Sequence, residues 1–174
     1  VGSEMCIRDR AKIKKQAVWA IFDIKGNASV VAKRLVDIGL SLPSSANTAY
    51  AKNGQHLCWI GDDHWLLLAP AEMEFQLLER LDPQNSSLDC RIVHVSDAYT
   101  LFKVTGNHAD DILAIASPLN TRQQNFPIDG ATFTEFFGIR GLVLRLPDGY
   151  LTAVERSYAD MITAYFDKIT TGSR

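Results

Sequence analysis

The sequence lacks the short glycine-rich motifs that position cofactors and activated nucleophiles. No G-x-G occurs among the 174 residues, so the G-x-G-x-x-G turn of dinucleotide-binding folds is missing. The Walker phosphate loop and the G-x-S-x-G turn of serine hydrolases are missing too. We therefore expect that this chain binds no flavin or nicotinamide cofactor and carries no catalytic nucleophile.

Cysteine, basic charge and long apolar runs are also scarce. The three cysteines are too few and too scattered for a disulfide framework, which favours a reducing compartment. The formal net charge is −2, and no basic stripe follows the first fifteen residues, so we expect no nucleic-acid partner. No run approaches the roughly 20 apolar residues of a membrane-spanning helix. We expect a cytoplasmic protein that does not associate with membranes.

Histidine and cysteine donors are present, but their spacing is not that of a metal site. The donors considered are His56, Cys58, His64, Cys90 and His94. His56 and Cys58 lie on one face of a predicted strand, and Cys90 precedes His94 by four positions. Neither arrangement matches the paired ligand spacing of zinc sites. We expect partly buried side chains here and no metal.

Paired carboxylates occur twice, at Asp62-Asp63 and at Asp110-Asp111. The first pair lies in a predicted hairpin turn. The second lies in the first turn of a predicted helix, where acidic side chains interact favourably with the helix dipole. Asp97, between two strand-like runs, is typical of a cap or a turn. We therefore expect no catalytic residue in this chain.

One pattern occurs twice in the sequence: an apolar strand that ends in Gly-Asn and leads into a helix. It spans 17–35 and recurs at 98–113. Gly26 and Gly106 lie 80 residues apart (106 minus 26), and the asparagines that follow them share that offset. We expect both asparagines to cap their helices. A plain strand-to-helix turn is favoured over an anion site at each glycine.

Each half is interpreted as strand–helix–strand–strand–helix. Periodicity predicts strands at 18–24, 56–60 and 64–69 in the first half, with a hairpin turn between the last two. Such units fold as antiparallel sheets with helices packed on one face. The fold class is therefore predicted as α+β, with two tandem similar lobes.

The predicted lobes span residues 11–88 and 89–174, a length that suits two small units in contact. Residues 1–10 are excluded from the fold, because VGSEMCIRDR has no periodicity and precedes the first strand. We expect this segment to be non-native.

Four segments, in order, resemble the gamma subunit of heterotetrameric sarcosine oxidase. They are GDDHWLLLAP at 61–70, VSDAYTLFKVTGNHADDILAIASPLN at 95–120, FPIDGATFTEFFGI at 126–139 and ERSYADMITAYF at 155–166. The chain departs from the pattern at two positions, since His64 and Asn120 replace acidic residues. The family is similar in fold to the folate-binding aminomethyltransferase of the glycine cleavage system.

This resemblance implies a cytoplasmic complex that oxidatively demethylates sarcosine to glycine and forms hydrogen peroxide. The methyl carbon passes to tetrahydrofolate or leaves as formaldehyde. The resemblance also implies FAD, FMN, NAD, tetrahydrofolate and zinc on the large, middle and small subunits. This chain would be a structural subunit that is inactive alone, since the matched motifs carry no catalytic, cofactor-binding or metal-binding residue.

Two other interpretations remain open from the sequence. One is a free-standing folate-binding protein of the aminomethyltransferase class. The iron–sulfur-assembly branch of that class carries a Lys-Gly-Cys-Tyr-x-Gly-Gln-Glu segment that this chain lacks. The other is a generic dimeric α+β domain without a link to one-carbon metabolism.

The loop at 117–130 is the predicted partner interface, because it is long for a compact domain and contains two prolines. Arg122 and Phe126 are its expected anchors, since arginine and aromatic side chains dominate interface hot spots. Arg156, before the last helix, is a third interface candidate. An ordinary mobile loop explains Arg122 and Phe126 equally well. For Arg156 the alternative is a surface ion pair with Glu155 or Asp160, and the resemblance favours the interface.

Overall fold

The computed structural model describes residues 11–171. Their ten strands form two five-stranded antiparallel sheets, and four α-helices pack against these sheets. The strands are β1 (Lys12–Lys15), β2 (Trp19–Gly26), β3 (Ala49–Lys52), β4 (Gln55–Gly61), β5 (His64–Pro70), β6 (Cys90–His94), β7 (Tyr99–Thr105), β8 (Ala131–Phe136), β9 (Ile139–Leu146) and β10 (Gly149–Glu155). The helices are α1 (Ala28–Val36), α2 (Glu74–Leu81), α3 (Ala109–Ala116) and α4 (Ala159–Thr171). Among the described residues, no helix has both the length and the apolar character needed to cross a membrane.

The N-terminal unit comprises residues 18–98 and 129–132. Its sheet has the strand order β6-β2-β5-β4-β3. The register pairs Phe22 with Leu67 and Ile24 with Trp65, so these apolar side chains share one face. Helices α1 and α2 pack on that face, and all four of these side chains are buried at 2% exposure or less. Burial of this apolar face stabilises the unit by about 1.5–3 kcal/mol for each large side chain.

The C-terminal unit comprises residues 11–17, 99–128 and 133–171. Its sheet has the order β1-β7-β10-β9-β8, and α3 and α4 pack on one face. Phe166 of α4 lies at the centre of this core, with its ring centroid 5.4 Å from that of Phe102 and 5.9 Å from that of Phe136. Tilted and edge-on aromatic pairs of this kind add to the stabilisation that burial provides.

Both sheets follow one order: a short edge strand, the strand that leads into the helix, and then the three later strands in reverse sequence. The duplicated α+β architecture predicted from the sequence is therefore confirmed. Each half contains one strand more between its helices than the predicted pattern. In the N-terminal unit the strand that the prediction missed is β3.

The boundaries of the predicted lobes require correction at two short strands. Lys12–Lys15, placed by sequence in the lobe 11–88, pairs with Tyr99–Thr105 in the C-terminal unit. Cys90–His94, placed in the lobe 89–174, pairs with Trp19–Gly26 in the N-terminal unit. The physical reason is that an edge strand belongs to the sheet with which it forms backbone hydrogen bonds, and that sheet need not be the one nearest in sequence. The segment 1–10, expected to be non-native, lies outside the described residues.

The turn between β2 and α1 requires glycine. Gly26 has a φ of +147°, and a Cβ built there would overlap the Asp89 carbonyl oxygen and lie 2.8 Å from Cys90 Cα. The next residue caps the helix as predicted, because Asn27 Oδ1 accepts a hydrogen bond from the Ser29 amide at 3.0 Å. The corresponding prediction at Asn107 is wrong. The N-cap of α3 is the next residue along the chain, and its side chain makes no capping hydrogen bond.

A hydrogen-bonded cluster ties α2 to the sheet of the N-terminal unit. Ser96 Oγ accepts a hydrogen bond from the buried Ile21 amide at 2.9 Å and donates one to Glu74 Oε1 at 2.7 Å. His94 Nε2 lies 2.7 Å from the same Glu74 oxygen. Hydrogen bonds from Ser96 first, and then from His94, lower the pKa of Glu74 below its usual value.

The Gly26 turn generates a stability prediction. We expect Gly26→Ala to lower the free energy of unfolding by about 3 kcal/mol, because the alanine would combine a strained φ with overlap on the backbone before β6. Chemical denaturation followed by circular dichroism measures the change. Gly61→Ala is the matched control, since its Cβ would lie 3.6 Å from His64 Cβ, an ordinary contact. Equal losses in the two variants would contradict this account.

The Glu74 cluster generates a pH prediction. Because its pKa is lowered in the folded state, Glu74 contributes stability above pH 4.5, its usual value, and that contribution is lost as the pH falls below it. A third of the side chain is exposed, so solvent screening limits the contribution to about 0.5 kcal/mol. Glu74→Gln should therefore destabilise the chain at about pH 6 and cost less at about pH 3.

Unfolding free energies measured by urea titration at both pH values test this expectation. Glu72→Gln, at an exposed neighbouring position, is the control. A cost of Glu74→Gln that does not change with pH would show that the ionised carboxylate is not what stabilises the cluster.

Candidate functional site

A cavity of about 340 Å³ opens in the C-terminal unit, where the turn between β7 and α3 lies beside the β9–β10 hairpin. Its lining includes Gly106, Asn107, Asp110, Arg145, Asp148 and Tyr150. Small-molecule pockets begin at about this volume and combine apolar walls with a few convergent polar groups. This cavity is the candidate functional site.

The polar wall of the cavity is a network of three side chains from three elements. Tyr150 Oη, on β10, donates a hydrogen bond to Asp110 Oδ1 on α3. Arg145 Nη2, on β9, lies 3.8 Å from the same oxygen. The guanidinium carbon of Arg145 lies 5.5 Å from the centroid of the Tyr150 ring, a cation–π contact. The three side chains therefore hold one another in a fixed arrangement.

The tyrosine in this network acts as a neutral donor. Tyr150 is 1% exposed, and burial raises the pKa of its phenol, as does the hydrogen bond to Asp110. The phenol therefore keeps its proton at neutral pH. This suits a positioning role better than proton transfer, because an acid or base catalyst works best with a pKa near the operating pH.

Arg145 also reaches the loop that the sequence analysis predicts as a partner interface. Its Nη1 donates hydrogen bonds to the carbonyl oxygens of Thr121 and Phe126, the latter at 3.0 Å. The Arg145 side chain is only 16% exposed. The network at the cavity wall therefore extends into the loop 117–130.

The charges around the cavity are largely paired. Asp148 Oδ2, at the cavity rim, lies 3.0 Å from Lys103 Nζ, and the Asp110 carboxylate lies beside Arg145. The adjacent turn contains the single glycine Gly106 rather than a glycine-rich cradle. The arrangement can hydrogen-bond a small polar molecule, and it fixes the loop beside it.

The histidine and cysteine side chains that the sequence analysis considered as metal donors, and rejected, do not form a cluster. Within residues 11–171, no group of three or more histidine, cysteine or acidic side chains could hold a metal ion. Burial raises the pKa of the Cys58 thiol to about 12. Burial also raises the pKa of the Cys90 thiol and lowers the pKa of His56, whose neutral imidazole is the form that metals bind. His64 Nε2 lies 2.9 Å from Asp23 Oδ2.

The Ser96, His94 and Glu74 cluster has the residue types of a catalytic triad but not its geometry. His94 uses the same nitrogen, Nε2, toward both Ser96 and Glu74. A triad requires the two ring nitrogens to serve separate partners, so that one takes the proton while the other is held by the carboxylate. This cluster is a structural tie.

The three predicted interface residues have different surroundings. Arg122 is exposed at the tip of the loop, and Arg156 is exposed in the short turn between β10 and α4. Phe126 requires correction, because it is 4% exposed and packs into the core of the C-terminal unit. Its apolar side chain fastens the loop to its own unit and is not available to a partner.

Sequence reasoning missed Arg145 and Tyr150. The only local signal was an arginine that interrupts the apolar run LVLRL on β9. Asp110 was noted, but as a favourable acid at a helix N-terminus. Its contact with Tyr150 joins positions 40 residues apart, which periodicity cannot reveal.

Comparisons with solved structures give the fold. A chain of the heterotetrameric sarcosine oxidase from Corynebacterium sp. U-96, in complex with pyrrole 2-carboxylate, superposes with a TM-score of 0.81 at 17% identity, covering 92% of this chain and 84% of that one. The glycine cleavage system aminomethyltransferase T from Bartonella henselae gives a TM-score of 0.66 at 16% identity. That match covers 92% of this chain and 45% of the aminomethyltransferase. At these identities the likeness establishes a shared architecture.

Comparison at the level of sequence gives the family. No curated protein sequence matches the chain at a significant level. The model of the sarcosine oxidase gamma subunit family matches residues 24–171, which include nearly every element of both units. The chain therefore belongs to the sarcosine oxidase gamma subunit family.

Proposed function

We propose that this chain is a non-catalytic assembly subunit of a heterotetrameric sarcosine oxidase. The observation that carries the proposal is the family match over residues 24–171. The character of the candidate site supports it, because the cavity wall combines a neutral phenol with paired charges. The missing G-x-G turn supports it as well, since redox cofactors held by the chain itself would use such a cradle.

The complex that we propose oxidises sarcosine to glycine and reduces oxygen to hydrogen peroxide. The methyl carbon leaves as formaldehyde or passes to tetrahydrofolate. FAD, FMN, NAD and zinc belong to the large, middle and small subunits in this proposal, and the complex works in the cytoplasm. The contribution of this chain is to bind the other subunits and hold them in a productive assembly.

The partner that we propose is the large subunit, through a domain that shares the folate-binding architecture. The aminomethyltransferase likeness supports a shared architecture, since 92% of this chain superposes on less than half of that protein. We place Arg122, at the exposed tip of the loop 117–130, and Arg156 at the interface. Arginine combines a flexible apolar stem with five hydrogen-bond donors and is enriched at interface hot spots.

A free-standing folate-binding protein is the alternative that the experiment must separate from this proposal. Co-expression of the tagged chain with the large, middle and small subunits, followed by affinity purification, tests the assembly role. Recovery of a stoichiometric flavin-bearing complex is the expected result. Tight binding of tetrahydrofolate by the isolated chain, with no recovered partners, would instead favour the alternative.

The proposed anchors generate a prediction about affinity. Arg122→Ala and Arg156→Ala should each weaken binding to the large subunit about 30-fold, since a hot-spot truncation costs about 2 kcal/mol. Surface plasmon resonance with immobilised large subunit measures the change. Arg91→Ala, at an exposed arginine on β6, removes the same charge and is the control. Unchanged affinity in both test variants would show that these arginines do not contribute to the interface.

A further inference from the structure

The tip of the loop 117–130 has an ordered backbone of its own. The segment 117–128, called here the docking segment, folds into a tight turn in which the amides of Asn125 and Phe126 donate to the Arg122 carbonyl at 2.8 and 2.9 Å. The Arg122 amide donates to Asn120 Oδ1 at 3.2 Å. The side chain of Phe126 is inserted into the core at the end of this turn. The exposed residues of the tip are therefore displayed on a short, closed turn.

Groups outside the docking segment hold that turn at both of its ends. Arg145 donates to the carbonyl of Thr121, just before the turn, and to that of Phe126, which closes it. Asp110 lies beside the guanidinium and accepts a hydrogen bond from Tyr150, whose ring lies 5.5 Å from the guanidinium carbon. We call Asp110, Arg145 and Tyr150 the clamp.

The clamp removes conformational freedom from the docking segment before any partner arrives. Ordering a flexible loop on association costs free energy that lowers affinity, and a loop that is already ordered avoids that cost. Arginine suits this role, because a planar guanidinium can bridge two carbonyl oxygens while it stacks on an aromatic ring. The clamp therefore links the sheet and α3 to the shape of the exposed tip.

The charge of the docking segment indicates its partner. Residues 117–128 contain no aspartate or glutamate, and the exposed Arg122 is the one formal charge among them, while Asp129, which follows directly, is half-buried. The other exposed side chains of the tip include the amides of Gln123, Gln124 and Asn125, which donate and accept hydrogen bonds. Such a surface is complementary to one that presents carboxylates and backbone polar groups.

We propose that the clamp of Asp110, Arg145 and Tyr150 pre-forms the docking segment as the recognition surface for an acidic patch on a partner subunit. This inference rests on the proposed assembly function and adds a device to it. Arg145 acts as a positioning residue, since it shapes the backbone that displays Arg122 while remaining mostly buried itself.

Hydrogen exchange of the isolated full chain tests the clamp without any partner. Arg145→Met should speed exchange of the Asn125 and Phe126 amides about tenfold, the factor expected for loss of a hydrogen bond to a buried group. Tyr150→Phe, which keeps the ring and removes the hydroxyl that holds Asp110, should have a smaller effect in the same direction. Arg140→Met, at an exposed arginine on the same strand, should leave both amides unchanged.

Binding of the same variants to the immobilised large subunit tests the function of the clamp. Arg145→Met should weaken binding about tenfold with unchanged exchange in the core strands, whereas Arg122→Ala should weaken binding and leave exchange of the loop amides unchanged. Unchanged loop exchange in Arg145→Met and Tyr150→Phe would overturn the clamp. Faster loop exchange with undiminished affinity would overturn its role in docking. If the wild-type chain binds no other subunit, the assembly function itself fails, and the exchange result still decides whether the clamp exists.

Discussion

Close backbone approach at the end of a central strand is the constraint on which the N-terminal unit depends. At Gly26 the chain turns from β2 into α1 with the carbonyl of Asp89 so near that no side chain fits. This approach lets β6 pair along β2, and the continuation of β6 brings Ser96 onto the Ile21 amide and Glu74. One glycine thus sets the position of an edge strand, a helix and a polar cluster. Among the amino acids only glycine routinely adopts a positive φ, so the glycine at this position in the sequence is what permits the close approach.

The C-terminal unit uses the same strand-to-helix turn and adds a polar network to it. Gly106 also has a positive φ, and the helix that follows presents Asp110 toward Tyr150 and Arg145. In the N-terminal unit the polar cluster ties helix to sheet, whereas here it ties a loop to the sheet. The duplicated architecture therefore has one half whose polar cluster is internal and another whose cluster shapes an exposed surface. That difference is the reason that we propose a recognition surface on the C-terminal unit.

Sequence reasoning recovered what local patterns encode. Alternating apolar residues and the Gly-Asn turns predicted the duplicated α+β fold, and the turn at Asp62-Asp63 predicted the β4–β5 hairpin. The local pattern of Lys12–Lys15 does not indicate which sheet this strand joins, because a short strand with three lysines can pair with any free sheet edge. Phe126 was misjudged because a polar, proline-bearing loop suggests exposure, while its burial depends on a distant core. Arg145 was missed for the same reason, since its contacts reach carbonyls 19 and 24 positions away.

We propose that this chain organises an oxidase whose redox chemistry takes place on companion subunits. The most direct measurement compares the visible absorption spectrum and the sarcosine-dependent peroxide formation of the isolated chain with those of the co-expressed complex. We predict a colourless, inactive chain and a yellow complex that oxidises sarcosine and contains the chain in equal proportion to the flavin-bearing subunit. A stoichiometric flavin spectrum, or turnover of sarcosine by the isolated chain, would contradict the account.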